Sequence, residues 1–431
     1  MKKVLLFLFW AAMIISAAGA QDVSEIKEIA VFSLSPSSWN LPAGSLDLVD
    51  GQVADVFARF GHFEISRWDF RLESGMVPDF TARIQGINET DMAGDETFAD
   101  IDFSALTSSF LIVIPSLEFY DSIAADYDDG TEWEVELHAL FSIINLNDVE
   151  EISQFSVNTF GSGETQEDAV QNAADAISSQ LEFELRSLDA FQLESGILEV
   201  MGGGKVILGL GRLQGLSSGD EFSIVDYSII STEQEGPAKT GLIIVTNVQE
   251  ELSYARIVYS NEQVSSGDQL VEIPRFGGDF SVYAHGFIDS TGLSGGTLGL
   301  RAVLTRGFFD LRPLFGVEFP LVTGTLRGLW PGLPLSVYLG GELVWYLGRF
   351  QIQSAVSLGV TGLFPVKEDE QFFLTHVGGT ASVAANWMFD DNLKVFVEGG
   401  YCYWYSVAPS ALASVSEYGG IFGGLGVTFK L

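Results

Sequence analysis

The C-terminal third of the chain alternates apolar and polar residues in eight successive segments. In the segment from Leu393 to Tyr405, the odd-numbered positions are apolar or aromatic apart from one glycine, and the even-numbered positions are mixed. A period of two places these sets on opposite faces of a β-strand. The eight segments span 279–289, 296–305, 308–320, 335–346, 350–363, 372–389, 393–405 and 417–431. They predict an antiparallel eight-stranded transmembrane barrel with an apolar outer face and a mixed interior.

The connections between these strands alternate in length. The short ones are 306–307, 347–349 and 390–392, and the long ones are 290–295, 321–334, 364–371 and 406–416. Short periplasmic turns and longer extracellular loops are typical of outer-membrane barrels, and an even strand number returns the chain end to the periplasm.

Aromatic residues form a group at each end of the predicted barrel, as expected at two membrane interfaces. The short-turn group is Phe308, Phe309, Trp345, Tyr346, Phe350, Trp387 and Phe389, and the long-loop group is Phe319, Trp330, Phe364, Phe372, Tyr403 and Tyr405. With its alternating last strand, the region resembles small eight-stranded outer-membrane barrels of the OmpA and OmpX kind, which implies outer-membrane lipid around it. The alternative is a soluble lipocalin-like barrel, with the apolar face turned inward.

Charged residues recur at the inward positions of the predicted strands. They are Arg301, Asp310, Arg312, Glu318, Glu342, Lys394, Glu398 and Lys430, four of each sign. Side chains fill the bore of an eight-stranded barrel, and an unpaired buried charge is costly. We therefore expect an ion network in a closed core, without a diffusion pore.

The chain begins with the pattern of a secretory signal peptide, residues 1–20. Lys2 and Lys3 precede the apolar run from Val4 to Ile15, and Ala18-Gly19-Ala20 matches a cleavage site before Gln21. The alternative is a retained membrane anchor.

Residues 21–190 predict a mixed α/β domain. The strands are 26–34, 110–119 and 133–146, and the helices are 46–63 and a segment capped by Ser162 or Thr165 that runs to about Leu185. Asp128-Asp129-Gly130 predicts a hairpin turn. This order resembles the periplasmic domain of curli-secretion lipoproteins, TolB proteins and flagellar assembly protein T. The resemblance implies a role in assembly and interaction.

Residues 191–275 predict a small SH3-like β domain. Short strands are divided by Gly and Ser, and the turns Ser218-Gly219-Asp220 and Ser266-Gly267-Asp268 each precede an alternating strand. The segment is similar to the C-terminal domain of flagellar assembly protein T. Pro274 to Gly278 links it to the barrel domain, residues 276–431.

The net charge of −37 lies almost entirely before the barrel. Residues 21–275 carry 46 acidic and 11 basic side chains, and residues 276–431 carry 12 and 8. Such acidity argues against nucleic acid as a partner, because phosphate binding needs a basic surface. Solubility alone accounts for it.

No sequence pattern indicates catalysis, a cofactor or a metal. The barrel histidines His285 and His376 have no serine at a telling spacing, and Cys402 is the only cysteine. The acidic run 126–132 lacks the EF-hand order, and the Gly202–Lys205 segment lacks the spacing of a phosphate-binding loop.

These features together predict a structural, non-enzymatic protein of the bacterial outer membrane. Residues 21–275 would lie in the periplasm and engage a periplasmic or envelope protein. The alternatives are surface binding through the barrel loops, a lipid-modifying hydrolase that uses His285 or His376, and an oligomeric channel.

Overall fold

A computed structural model describes residues 27–36, 41–60, 63–86, 106, 109–127, 130–146, 150–230, 237–288, 292, 294–322, 332–365, 373–408 and 417–431. The predicted signal peptide and most of the predicted long loops lie outside these ranges. Among the described residues, no helix is long and apolar enough to cross a membrane. The chain forms two compact units, residues 22–193 with 213–215, and residues 194–212 with 216–431.

In its described residues, the first unit is a five-stranded mixed sheet with three α-helices. In chain order its elements are β1 (Lys27–Ser33), α1 (Ser45–Arg59), β2 (Phe63–Arg71), α2 (Val77–Gly86), β3 (Leu111–Tyr127), β4 (Gly130–Asn145), β5 (Glu150–Gly163) and α3 (Gln166–Arg186). The sheet order is β2-β1-β3-β4-β5, with β1 parallel to both of its neighbours and the remaining pairs antiparallel.

The predicted strands β1, β3 and β4 and helices α1 and α3 are confirmed, but three elements were missed. The helix predicted to reach Phe63 ends at Arg59, and Phe63 begins β2 instead. Helix α2 and strand β5 were also not predicted. Strand β2 lies at an edge, and its apolar positions change phase midway, so period-two alternation does not mark it.

Helices α1 and α3 pack on one face of this sheet because each has one apolar stripe. In α3 the buried stripe is Ala169, Ala173, Ile177, Leu181 and Leu185. Thr165 caps the helix, and its hydroxyl accepts a hydrogen bond from the Asp168 N–H at 3.1 Å. Strand β1 lies between two cores, because Ile29 and Val31 face α1 and α3 while Phe32 packs against Phe80 of α2 on the other side.

The second unit begins with a closed six-stranded barrel, hereafter the small barrel. Its strands are β6 (Glu194–Met201), β7 (Lys205–Leu208), β8 (Glu221–Ile230), β9 (Pro237–Val248), β10 (Ser253–Ser260) and β11 (Gln269–Ile273), closed in the order β10-β7-β6-β11-β8-β9. Both predicted Ser-Gly-Asp turns are present. Gly219 and Gly267 have φ of 93° and 95°, a region that favours glycine.

The unit ends with a closed eight-stranded antiparallel barrel, hereafter the large barrel. Its strands are β12 (Gly278–Ile288), β13 (Ser294–Leu304), β14 (Arg312–Val322), β15 (Gly332–Leu347), β16 (Phe350–Pro365), β17 (Phe373–Met388), β18 (Leu393–Ser406) and β19 (Glu417–Lys430). Each strand pairs with the next, and β12 pairs with β19. The predicted strand number and closed barrel are confirmed.

Two predictions for the large barrel were wrong, the start of β14 and the inward position of Asp310. Strand β14 begins at Arg312 instead of residue 308, so the connection after β13 is residues 305–311 and not a two-residue turn. Asp310 is exposed in this connection and does not face the interior. The segment leaves the β-ladder to contact the small barrel, where the Gly307 N–H donates to the Ser218 carbonyl at 2.6 Å.

The predicted faces of the large barrel are confirmed. In β18, Lys394, Phe396, Glu398 and Trp404 are buried, whereas Val395, Val397, Tyr401, Tyr403 and Tyr405 are exposed. The other strands likewise expose large apolar side chains outward, among them Leu339, Leu358, Val383 and Leu425. The large barrel is therefore apolar outside, and its interior mixes charged, polar and aromatic side chains.

Strand β5 lies so close to α3 that Gly161 has no room for a side chain. A Cβ there would lie 2.2 Å from the Ala169 carbonyl oxygen and 2.3 Å from the Ala173 nitrogen, both backbone atoms. We expect Gly161→Ala to destabilise the first unit by about 1–3 kcal/mol through overpacking. Thermal unfolding followed in the helical circular-dichroism band checks this, because α1, α2 and α3 all lie in this unit.

Gly51→Ala is the matched control for this substitution. No atom lies within 4 Å of the Cβ position in α1, so alanine there should raise stability by about 0.5–1 kcal/mol through helix propensity. Equal effects of the two alanines would contradict the packing argument.

Candidate functional site

The centre of the large barrel holds a buried ion pair between β13 and β18. Arg301 Nη2 and Nη1 donate to the two carboxylate oxygens of Glu398 at 2.9 and 3.3 Å. The guanidinium carbon also lies 5.2 Å from the Tyr283 ring centroid and 5.5 Å from that of Phe396. Bidentate geometry and ring contacts together stabilise a charge that would be costly if it were buried alone.

Two tyrosines extend this network across the bore. The Tyr283 hydroxyl donates to Glu318 Oε1 at 2.6 Å and lies 2.6 Å from the Tyr338 hydroxyl. Each ring lies over the glycine that is paired with it on a neighbouring strand. Gly299 pairs with Tyr283 and Gly316 with Tyr338, and a Cβ at either glycine would meet the ring at about 2 Å. These two glycines thus make room for the rings.

A second layer of charges lies nearer the short-connection end. Lys394 donates to Asp279 Oδ2 at 2.5 Å, Arg312 bonds the Tyr346 hydroxyl, and Glu342 bonds Gln353. Asp279 was not predicted, although it shares the inward parity of Ser281 and Tyr283 on β12. With Asp279 in place of the exposed Asp310, the inward charges are four cationic and four anionic: Arg301, Arg312, Lys394, Lys430, Asp279, Glu318, Glu342 and Glu398.

Lys430 is buried as predicted, but its partner belongs to the small barrel. Its Nζ lies 2.7 Å from Glu221 at the start of β8. Glu221 also accepts from Arg275 at 3.3 Å, and Arg306 donates to the neighbouring Asp220 at 3.1 Å. Burial opposes ionisation of Glu221, but the charges of Lys430 and Arg275 outweigh it and hold the pKa of this carboxyl below its usual range. The ion network therefore continues from one barrel into the other.

Apolar and aromatic contacts surround this connection. Leu242, Ile244 and Val258 of the small barrel form one buried cluster with Tyr346 and Met388 of the large barrel. Tyr346, predicted as part of an interfacial aromatic group, instead lies buried here, because even-numbered positions of β15 at this end face inward.

Polar contacts also join the two barrels at this junction. The Tyr259 hydroxyl donates to Asp391 Oδ1 at 2.6 Å, and the Arg349 guanidinium carbon lies 3.8 Å from the Tyr259 ring centroid. Burial and the Asp391 carboxylate raise the pKa of Tyr259, so its hydroxyl stays a donor. A Cβ at Gly219 would lie 2.1 Å from the Thr305 carbonyl oxygen, which shows how closely the chains approach.

Side chains fill most of the described part of the large-barrel interior. A cavity of about 20 Å³, room for about one water, is lined by Tyr283, His285, Arg301, Glu318, Tyr338 and Glu398 among others. The His285 ring stacks between Tyr283 and Phe422, and its Nε2 lies 3.5 Å from Glu398. His376 is buried beside Thr375 and Tyr418. Within the described ranges, no three His, Cys, Asp or Glu side chains are grouped as metal ligands would be.

The fold thus defines a mostly β protein with two closed barrels in one unit. No protein-family model and no curated protein matches the chain. Among solved structures, similarity is found to a PelC variant dodecamer from Paraburkholderia phytofirmans, at 12% identity over 38% of this chain and 91% of that chain, with a TM-score of 0.21.

Two solved barrels are also similar to this chain. The N-terminal β-barrel domain of Pseudomonas aeruginosa OprF is 14% identical over 36% of this chain and 97% of that chain, with a TM-score of 0.21. OmpT, an outer membrane protein of Vibrio cholerae, is 9% identical over 75% and 98%, with a TM-score of 0.17.

The Glu221–Lys430 pair predicts a specific pH dependence. A depressed pKa in the folded state adds stability above the unfolded pKa of about 4.3, and this contribution is lost as the pH falls below it. We expect Glu221→Gln to cost about 3–5 kcal/mol at pH 7, because Lys430 stays buried without its carboxylate. The difference in unfolding free energy between wild type and variant should shrink on acidification, measured by denaturant unfolding across pH.

Glu199→Gln, an exposed glutamate of the same small barrel, is the control and should leave the pH profile unchanged. A constant difference between wild type and Glu221→Gln down to low pH would contradict a stabilising ionised Glu221.

The filled interior predicts no ion conduction by the single chain. Paired charges and aromatic rings occupy the described part of the bore, and the cavity lined there by Tyr283 and Arg301 holds about one water. We expect no steady current when the purified monomer is added to a planar lipid bilayer, with detergent alone as the control. A persistent, large conductance would contradict a closed core.

Proposed function

We propose that the chain is an outer-membrane β-barrel anchor that carries an acidic, non-catalytic interaction module in the periplasm. The module comprises residues 21–275, and its partner is an envelope protein. The observation that carries the proposal is the buried junction, where Lys430 of the last strand pairs with Glu221 of the small barrel.

The outer surface of the large barrel supports a lipid environment. Leu339, Val356, Leu358, Val397 and Leu425 are each more than 60% exposed, and they come from four different strands. In water, an apolar band around the whole barrel would promote aggregation. In a bilayer it is favourable, and a closed barrel leaves no unpaired edge in the hydrocarbon. The same exposure argues against the lipocalin-like alternative, in which the apolar face would be inside.

The position of the small barrel supports the proposed orientation. It contacts the large barrel at Arg306, Arg349 and Asp391, in connections 305–311, 348–349 and 389–392. The connections at the opposite end, 289–293, 323–331, 366–372 and 407–416, are longer on average. Short connections face the periplasm in outer-membrane barrels, so the small barrel and residues before it would lie there.

Many contacts join the two barrels, so the large barrel and the small barrel would move as one body. Ion pairs at Glu221 and Asp220, the Tyr259–Asp391 hydrogen bond and the apolar cluster around Tyr346 act together. A rigid attachment holds the small barrel at a defined distance from the membrane. This favours an interaction role, because a partner would meet the small barrel at a fixed position relative to the membrane.

Cell fractionation tests the anchor. We expect recovery in the outer-membrane fraction. We also expect heated and unheated samples to migrate differently on gels, because a closed barrel stays folded until it is heated. Protease added to intact cells should spare residues 21–275 and should cut them once the outer membrane is permeabilised. Recovery in the soluble fraction would contradict the anchor, and cleavage of residues 21–275 on intact cells would contradict the orientation.

A further inference from the structure

One long stretch of the first unit carries only negative charge. Between Arg83 and Arg186 the sequence has no lysine or arginine, and it has 23 aspartates and glutamates. Strands β3, β4 and β5 and helix α3 all come from this stretch. Such a concentration of one sign creates a strong local potential that attracts cations and steers cationic partners.

The three strands display an ordered array on the sheet face opposite α3. Strand register places Asp121, Glu136 and Phe160 in one cross-strand row. The next row, two residues along, holds Ile123, Glu134 and Ser162. Side chains two residues apart on a strand share a face, so these six form one contiguous surface, hereafter the acidic face.

None of the unit's described helices or strands covers the acidic face. Phe160 is 68% exposed and Ile123 is 56% exposed, whereas Val135 and Val157 on the reverse face are buried in the core under α1 and α3. A groove of about 360 Å³ runs over both rows and is lined by three acidic side chains and no basic one. An exposed aromatic ring beside carboxylates is a surface that a partner can bury.

Electrostatics within the array also favours a cation. Asp121 and Glu136 are directly opposite each other on antiparallel strands, an arrangement of like charges that is destabilising. Glu136 contacts His138 at 2.7 Å in the following row, where the His138 ring also packs against Phe119 at 4.9 Å. A bound cation would offset the repulsion between the two carboxylates.

We propose that the acidic face binds an arginine-bearing segment of another envelope protein. Guanidinium groups bind carboxylates bidentately and stack on aromatic rings, which matches Glu134 and Glu136 beside Phe160. Apolar neighbours of the arginines would cover Ile123. The location of this partner rests on the proposed function, but the binding chemistry rests on the acidic face alone.

Binding of a defined peptide to the full chain in detergent micelles tests the proposal. The probe is a short fluorescent peptide of alternating arginine and leucine, compared with a peptide of alternating glutamate and leucine. We expect the arginine peptide alone to bind, with an affinity that falls as salt is added. Glu134→Gln with Glu136→Gln should weaken binding at least about tenfold, and Phe160→Ala should also weaken it.

Matched variants separate this face from general acidity. Asp55→Asn with Glu167→Gln removes the same net charge from exposed positions on α1 and α3, and Ile152→Ala removes an exposed apolar side chain from the other end of β5. Both should leave the affinity unchanged. All substituted side chains are solvent-accessible, and circular dichroism verifies that each variant is folded.

Several outcomes would overturn the proposal. Failure of the arginine peptide to bind the protein would contradict it. So would weakening of peptide binding by the control pair Asp55→Asn with Glu167→Gln as large as the weakening by Glu134→Gln with Glu136→Gln. Dimers in sedimentation that Phe160→Ala abolishes would assign the face to a second copy of the chain. Because the assay uses purified protein, its result is independent of cell fractionation. Failure of the anchor and failure of the acidic face can therefore be told apart.

Discussion

Compensation of buried charge is the constraint on which the second unit depends. Closing eight strands places four cationic and four anionic side chains inside a bore too narrow for bulk water. Two ion pairs form within that bore, Arg301 with Glu398 and Lys394 with Asp279. Lys430, at the end of the last strand, reaches its carboxylate only when the small barrel is in place. The buried charge of Lys430 in the large barrel is thus compensated by Glu221 of the small barrel.

This dependence links the two barrels energetically. Removing one member of a buried ion pair leaves an uncompensated charge, which costs far more than an exposed pair contributes. The apolar cluster around Tyr346 and Met388 adds burial to the same junction. Two barrels joined by a flexible linker would need none of these contacts. Their presence fixes the position of the small barrel relative to the large one.

The first unit has a different balance. Its core is covered on the α1 and α3 side by apolar stripes, and Gly161 lets β5 approach α3 to backbone contact. On the opposite face, Ile112, Ile114 and Ile144 pack under α2, and the rest of β3, β4 and β5 presents the acidic face. The α1 and α3 core and the proposed binding surface thus lie on different faces of the same strands, since alternate residues along a strand point to opposite sides.

The sequence by itself determined the elements whose periodicity is local. Alternation along β12 to β19 was enough for the strand number, the two faces and seven of the eight inward charges, and a four-residue repeat marked α3. Only the tertiary structure decided the rest. Asp310 lies outside the barrel, because connection 305–311 contacts the small barrel. Lys430 pairs with a residue 209 positions away in the sequence. Periodicity follows from backbone geometry at each residue, whereas the choice of a partner depends on how distant segments pack.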